Sequence, residues 1–305
     1  MEFTFGTDPE FMVSRWDDLQ SAISLLPRKE AALSRNGSKF YYDNVLAEIA
    51  VKPSKNRAEA TENICKALQN LSKILKPARF TIQASAKYPI KQLNDKDARI
   101  AGCNPEWDAY TLRCILPPDE VISKTAFRTA GGHIHIGAKD FSDSINALNA
   151  IRMMDLFIAI PALLMDTDET SKDRRKVYGH AGSHRGTDYG FEYRTLGNFW
   201  LSSPNHVNLI YDLTSFVLDF VKEEMHKKFW SFDESLLQKG DPCKAFKCTG
   251  YDVKLLCKCI NTCDKKQAEK FMLIVQNYLP DNLVQEIEKL SSNPLPDPYE
   301  AWGIS

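Results

Sequence analysis

The chain has 305 residues, 43% of them apolar, enough to bury a substantial core and too many for a disordered or low-complexity protein. Its 39 Lys and Arg nearly cancel 40 Asp and Glu, so no field of one sign points to nucleic acid or to an anionic membrane. Eight cysteines over this length are too sparse for a disulfide scaffold and read as thiols.

At the N-terminus, MEFTFGTDPEF has no basic stretch followed by an apolar run, which argues against a cleaved secretory signal. Short alternating segments then read as strands of period two: EFTF, KFYYDN, VLAEIAV, RFTIQASAKY, AFRTAGGHIHIG and, later, YGFEYRTL. Between them, AEATENICKALQNLSKIL sets Ile64, Leu68, Leu71 and Leu75 on one helical face and stops at Pro77. Ser142 is the expected cap of a helix running towards a kink at Pro161, and Asn205 the expected cap of another. The apolar run MMDLFIAIPALLM (153–165) is too short by itself to span a bilayer and carries Asp155, so a soluble cytoplasmic protein is expected. Strands separated by helices in this way predict an α+β fold, an antiparallel or mixed sheet covered by helices. A linker is expected near FDESLLQKGDP (232–242), dividing a domain over 1–235 from a helical, Cys-containing appendage over 236–305. In that appendage Cys243, Cys248, Cys257, Cys259 and Cys263 include C-x-C but no C-x2-C pair, so idle or buried thiols are favoured over structural zinc.

Four of the strand-like segments carry polar groups of ligand type on one face. Residues i and i+2 of a strand project together, so His133 and His135 share a face, and Gly131 and Gly132 before them permit close approach of the backbone. The same arithmetic points Asp8 and Glu10 together across Pro9, and pairs Glu192 with Arg194. Glu48 is the charged residue of an otherwise apolar strand, and burying it unpaired would be costly. Taken singly, each has a plain structural reading: a satisfied histidine, a turn, a hidden ion pair. Together they predict a metal centre among Asp8, Glu10, Glu48, His133, His135 and Glu192, and a set richer in carboxylates than imidazoles favours Mg2+ or Mn2+ over zinc. Arg174, Arg175, Arg185 and Arg194 lie among glycines 179, 182, 186 and 190 and are candidate phosphate ligands, although a solvated basic loop is the alternative. The chain contains neither G-x-x-x-x-G-K-[ST] nor G-x-G-x-x-G, which disfavours P-loop and Rossmann nucleotide sites.

The order GTDPEF, DNVLAEIAVKP, TAGGHIHIG, RRKVYGHAGSHR, YGFEYRTLGNFW resembles the phage-type carboxylate-amine ligases (COOH-NH2 ligase type 2, amidoligases) of the glutamine synthetase and glutamate-cysteine ligase superfamily, over residues 3–201. The resemblance implies a glutamine synthetase-like antiparallel sheet with a concave active-site face, ATP and divalent cations as cofactors, and amide formation between a small-molecule or peptide carboxylate and an amine through an acyl phosphate. It further implies that Asp8, Glu10, Glu48, His133 and Glu192 coordinate metal, that His135, Arg174, Arg175 and Arg185 face the nucleotide, and that Arg194 stands by the transferred phosphate. A homo-oligomer and the cytoplasm of a bacterial host also follow from it. Amide formation needs a base for the incoming ammonium. Asp43 in YYDN is the candidate, with a turn residue as its other reading; Asn198, Phe199 and Trp200 either shape the substrate side or pack in the core. Three other functions account for the same ligands: a metal-dependent hydrolase, which leaves the arginines without a role, a noncatalytic binding module, and, within the superfamily the motifs resemble, phosphoryl transfer to a guanidine.

Overall fold

A computed structural model of the protein describes residues 2–100, 105–116, 119–142, 144–233, 235–236 and 242–304. Six strands fill the first fifty residues: β1 (Thr4–Thr7), β2 (Glu10–Arg15), β3 (Asp18–Gln20), β4 (Leu33–Arg35), β5 (Ser38–Asp43) and β6 (Leu46–Ala50). The turns between them carry backbones suited to tight hairpins. Asn36 and Gly37, with φ of 53° and 81°, join β4 to β5, and Trp16 and Asp17, with φ of 54° and 65°, join β2 to β3. The helix Arg57–Leu75 follows, its first turn capped by the Asn56 side chain, with Ile64, Leu68, Leu71 and Leu75 buried as the spacing predicts.

The middle of the chain supplies β7 (Arg79–Thr81), β8 (Ser85–Lys87), β9 (Glu106–Asp108), β10 (Cys114–Ile115), β11 (Phe127–Thr129), β12 (Ile134–Gly137), β13 (Ser183–Thr187) and β14 (Gly190–Tyr193). One antiparallel sheet has the order β1-β12-β14-β13-β9-β10. A second runs β3-β2-β6-β5-β4, with β7 also paired to β2. The chain passes from the first sheet to the second at Asp8-Pro9, where proline has no NH to continue a ladder. Backbone bonds from Ile49 N to Pro9 O (3.1 Å) and from Val51 N to Thr7 O (3.0 Å) stitch the sheets into one curled half-barrel.

The back of the first sheet presents Ile134, Ile136, Phe191 and Tyr193 to a helical run beginning Ser144–Met154, continuing as a π-turn over Asp155–Ala159 and ending in Ile160–Met165. Where a kink at Pro161 is expected, the helix winds as this π-turn, and Pro161 falls in the first turn of the segment after it. Residues Ile145–Met165 form 21 residues long and apolar enough to cross a membrane; 89% of the most apolar window is buried inside the protein, so this is a core helix. The 153–165 run is thus one end of a longer element.

Several sequence expectations are corrected. RFTIQASAKY is two strands, β7 and β8, in different sheets, and AFRTAGGHIHIG breaks at its glycines into β11 and β12. The Ser142 hydroxyl donates to Lys139 O (2.7 Å), and Ser142 closes the short 3-10 turn Lys139–Phe141; the residue directly before the helix Ser144–Met154 lies outside the described residues. The helix Pro204–Lys222 is capped by Ser203, not Asn205, with Pro204 in its first turn, the position where a missing NH costs nothing.

Beyond residue 250 the helices Val253–Thr262, Lys265–Val275 and Asp281–Ser291 add Leu256, Ile260, Phe271, Val275 and Ile287 to the same apolar core that the first half builds. Trp302 donates its indole NH to Leu201 O (2.7 Å), and Tyr299 accepts from Phe80 N (3.0 Å). Part of the expected linker, residues 234 and 237–241, lies outside the described residues, as does the Cys243 side chain. Cys248, Cys257, Cys259 and Cys263 are free thiols, and among the described residues no cysteine joins a metal-binding group.

Candidate active site

Strand register builds the site. In the first sheet His135 lies directly opposite Glu192, and Glu192 opposite Arg185, so three of the candidate side chains form one row across β12, β14 and β13. In the second sheet Glu10 faces Glu48, and Glu48 faces Tyr41. The two rows meet at Asp8-Pro9-Glu10.

Two clusters of metal-ligand type result. Asp8, His133 and Glu192 bring ligand atoms within 4.8 Å of one another, and so do Glu10, Asp43 and Glu48. All five expected metal ligands therefore fall in one region, with Asp43 as a sixth. The expectation that Asp8 and Glu10 point together is corrected: the turn at Pro9 sends Asp8 to the first cluster and Glu10 to the second.

In the first cluster His133 Nδ1 hydrogen-bonds Asp8 Oδ1 at 3.1 Å and lies 3.4 Å from Glu192 Oε1. His133 Nε2 is buried without a partner, pressed against Gly131, where a Cβ would overlap the imidazole. Only glycine lets the ring lie there. His135 Nδ1 bonds the Tyr189 hydroxyl (2.7 Å), and its Nε2 lies 3.1 Å from Asp8 Oδ1 without the alignment of a hydrogen bond. Glu192 is fully buried and is gripped by both Arg185 (2.9 and 2.5 Å) and Arg194. Arg194 also donates to Glu106 (2.8 Å) and to the Tyr178 hydroxyl.

In the second cluster Glu10 accepts from Gly131 N (2.6 Å), and the Glu10 NH donates to Gly131 O (2.9 Å), locking the carboxylate to the glycine turn before His133. Glu48 accepts from the Tyr41 hydroxyl (2.7 Å).

The electrostatics of three neighbouring acids are those of a site that wants a cation. Burial, then repulsion from Asp43, pushes the Glu10 carboxyl up to about 8. Burial, followed by Asp8, Asp43 and Glu10, holds Glu48 well above the usual carboxylate range, and burial raises Asp43 to about 6. In the first cluster burial raises Glu192 to about 7, with Asp8 as its next cause. Burial, then Arg194, lowers His133 to about 3, leaving a neutral imidazole free to ligate. Asp8 behaves differently: burial alone would raise it, but His135 and His133 more than offset this and hold it well below the usual range.

The basic segment divides by role. What reads as a glycine-arginine loop is partly strand β13, and this puts Arg185 in the row with Glu192. Arg174 and Arg175, expected to face the nucleotide, are both buried and donate to backbone carbonyls. Arg174 reaches Thr195 O (3.0 Å) and Arg194 O (3.3 Å), and Arg175 reaches Gly179 O. Gly179 adopts φ 69°, and a Cβ there would collide with the Arg174 guanidinium. These two arginines brace the floor beneath Arg194. Asn198 and Trp200 also brace: the Asn198 amide donates to Glu10 O (2.8 Å), and the buried Trp200 indole donates to Gly132 O (3.0 Å); Phe199 packs in the core. Glu106, Tyr178, Tyr41 and Tyr189 contact site residues without having been singled out from the sequence.

Residues 124–239 match the family model of the phage phiEco32-like COOH.NH2 ligase-type 2. The resemblance carried by the motifs is borne out there. The matched segment contains His133, His135, Arg174, Arg175, Arg185, Glu192 and Arg194, while Asp8, Glu10, Asp43 and Glu48 precede it and meet it through the sheet geometry. Among solved structures, a bifunctional glutathione synthetase from Pasteurella multocida is similar over 99% of this chain at 10% identity, with a TM-score of 0.51. That likeness is one of fold, and this chain covers 49% of that protein's length. No curated protein matches the sequence.

Proposed function

We propose that the protein is an ATP-dependent carboxylate-amine ligase of glutamine synthetase-like fold, in which residues 1–235 form the catalytic part and the helices after 236 support it. One observation carries the reading: two three-ligand clusters lie side by side, joined by Asp8-Pro9-Glu10, with Arg185 and Arg194 against one of them. The donor set fits hard divalent cations, since it offers five carboxylates and one neutral imidazole, and the mutual repulsion of Glu10, Asp43 and Glu48 is relieved by a positive ion between them. When bound, Mg2+ or Mn2+ would supply neutralisation of a triphosphate.

The chain's own part is positioning and charge. Arg194, buried and fixed by Glu106, Glu192 and Tyr178, has its orientation set before substrate arrives, as transition-state stabilisation requires. Arg185 is more exposed and is held by Glu192 alone among described carboxylates; it is the guanidinium able to turn to the phosphoryl group. Ligation proceeds in two displacements. A substrate carboxylate oxygen bonds to the γ-phosphorus as the bond to ADP breaks. The amine nitrogen then bonds to the acyl carbon as inorganic phosphate leaves. Asp43 borders both the acid cluster and an adjoining cleft; a bound ion would take one of its carboxylate oxygens, and the other is the atom positioned to take the ammonium proton. A cytoplasmic setting, where ATP and Mg2+ are supplied, belongs to the same proposal.

The test is to incubate the full chain with ATP, Mg2+ and pools of carboxylates and amines, following ADP and phosphate together with the product mass. ADP release that requires both organic partners is expected. ATP-independent hydrolysis of esters or phosphates favours a hydrolase, and silence with retained nucleotide binding favours a noncatalytic module.

A further inference from the structure

The back of the first sheet, turned away from the candidate ligands, is not sealed everywhere by helices. In β13 Arg185 faces the site, so His184 and Gly186 project to the opposite face, where pairing sets His184 beside Trp107 and Gly186 beside Phe191. A side chain at 186 would continue the apolar layer of Phe191 and Ile136. Glycine leaves a hole there, since a Cβ at 186 would meet nothing within 4 Å. A cleft of about 470 Å3 opens at this point, between the strands and the helix Ser144–Met154.

Its walls suit a flat ring. Phe141, Leu148 and Phe191 supply apolar surface, and Trp107 lines the cleft while remaining 48% exposed. His184 lines it as well. The imidazole Nδ1 donates to Gly182 O (2.9 Å), and burial holds the ring below the usual imidazole range, so the neutral ring offers Nε2 as an acceptor. The charged residues lining the cleft are Asp108 and Asp188; among the described residues no Lys or Arg does so. Asp108 is engaged through Oδ1 by Tyr110 N (2.7 Å) and Thr111 N (3.1 Å), whereas Asp188 is exposed.

We propose that this cleft is a second binding site, for an aromatic amine whose ring carries an NH or OH donor, as an indole with an alkylammonium arm does. The ring covers Gly186, its donor meets His184 Nε2, and the ammonium meets Asp188. Aromatic acids are disfavoured by both carboxylates. The sheet itself separates the cleft from the metal-ligand clusters, so the site stands whether or not the chain is a ligase.

The experiment titrates the full chain, without ATP or metal, with tryptamine, 1-methyltryptamine and indole-3-propionate, and reads the heat of binding. Tryptamine is expected to bind with a Kd of about 1 mM. Loss of the ring donor should weaken binding about fivefold, and exchange of the ammonium for a carboxylate should weaken it about fivefold or more. Gly186→Leu fills the hole and should abolish saturable binding without lowering the melting temperature, because it replaces a glycine within a strand. Asp188→Asn should remove the preference over indole-3-propionate and keep the preference over 1-methyltryptamine. Should Gly186→Leu fail to fold, the wild-type series and Asp188→Asn still decide. No saturation by about 10 mM tryptamine, equal affinity for tryptamine and either analogue, or binding that survives Gly186→Leu overturns the proposal.

Discussion

Glu48→Gln is expected to stabilise the metal-free protein while destroying its activity. Glu48 is buried opposite Glu10 and within 4.8 Å of Glu10 and Asp43. At an effective dielectric of about 20, two charges at that separation repel by about 3 kcal/mol. The cluster escapes part of this by holding protons, which is why burial and then its acidic neighbours hold the Glu48 carboxyl so high. A folded-state value above the unfolded one means that the native protein holds protons the unfolded chain has released. Stability is then full below pH ~4 and is lost as pH rises towards the folded values. Gln keeps an oxygen to accept from Tyr41 and removes the charge. Urea unfolding in EDTA should show Glu48→Gln more stable than wild type by about 2 kcal/mol at pH 8 and by little at pH 5, where the native carboxyls are already neutral. Added Mg2+ should stabilise wild type more than the variant and close the gap. A variant that loses stability in EDTA at pH 8, or changes equally at both pH values, would refute the reasoning.

Further expectations concern the other parts of the site. Mn2+ affinity should rise between pH 6 and pH 8, because the ion must displace protons from Glu192, raised by burial to about 7, and Glu10, raised by burial to about 8; titration calorimetry showing flat affinity across that range would count against ligation by these acids. His133→Ala and Glu192→Ala should each slow ligation on the order of 100-fold or more without unfolding the chain, checked by ADP release and circular dichroism. Gly131→Ala should displace the His133 ring and release the Glu10 carboxylate from the turn, weakening Mn2+ binding about tenfold. Arg174→Ala should cost several kcal/mol of stability, since it removes bonds to Thr195 O and Arg194 O from a buried site; a drop in nucleotide affinity with stability unchanged would restore it as a phosphate ligand.

The candidate ligands were legible because a strand's period of two is local information: an isolated acid or an H-x-H pair in an apolar strand announces a face. How they divide into two clusters was not legible. Asp8 and Glu10 alternate correctly in sequence, yet Pro9 turns the chain between two sheets, and that turn is settled by pairing with β12 and β6, far away along the chain. Charge alone could not sort the arginines. Arg174 and Arg185 look alike in sequence, but one is enclosed by the Gly179 turn and the other lies opposite Glu192 because a glycine-rich segment forms strand β13. Glu106 sits in a stretch without periodicity, and only the pairing of β9 with β13 brings it to Arg194. For the Pro204–Lys222 helix the signal was present: a proline at the first helical position points to the residue before it as the cap.

Anomalous diffraction from crystals soaked with Mn2+ and a nonhydrolysable ATP analogue bears most directly on the two-cluster site. Two manganese peaks are predicted, one among Asp8, His133 and Glu192 and one among Glu10, Asp43 and Glu48, with the phosphates reaching Arg185. Peaks elsewhere, or none at either cluster with nucleotide bound, would contradict it.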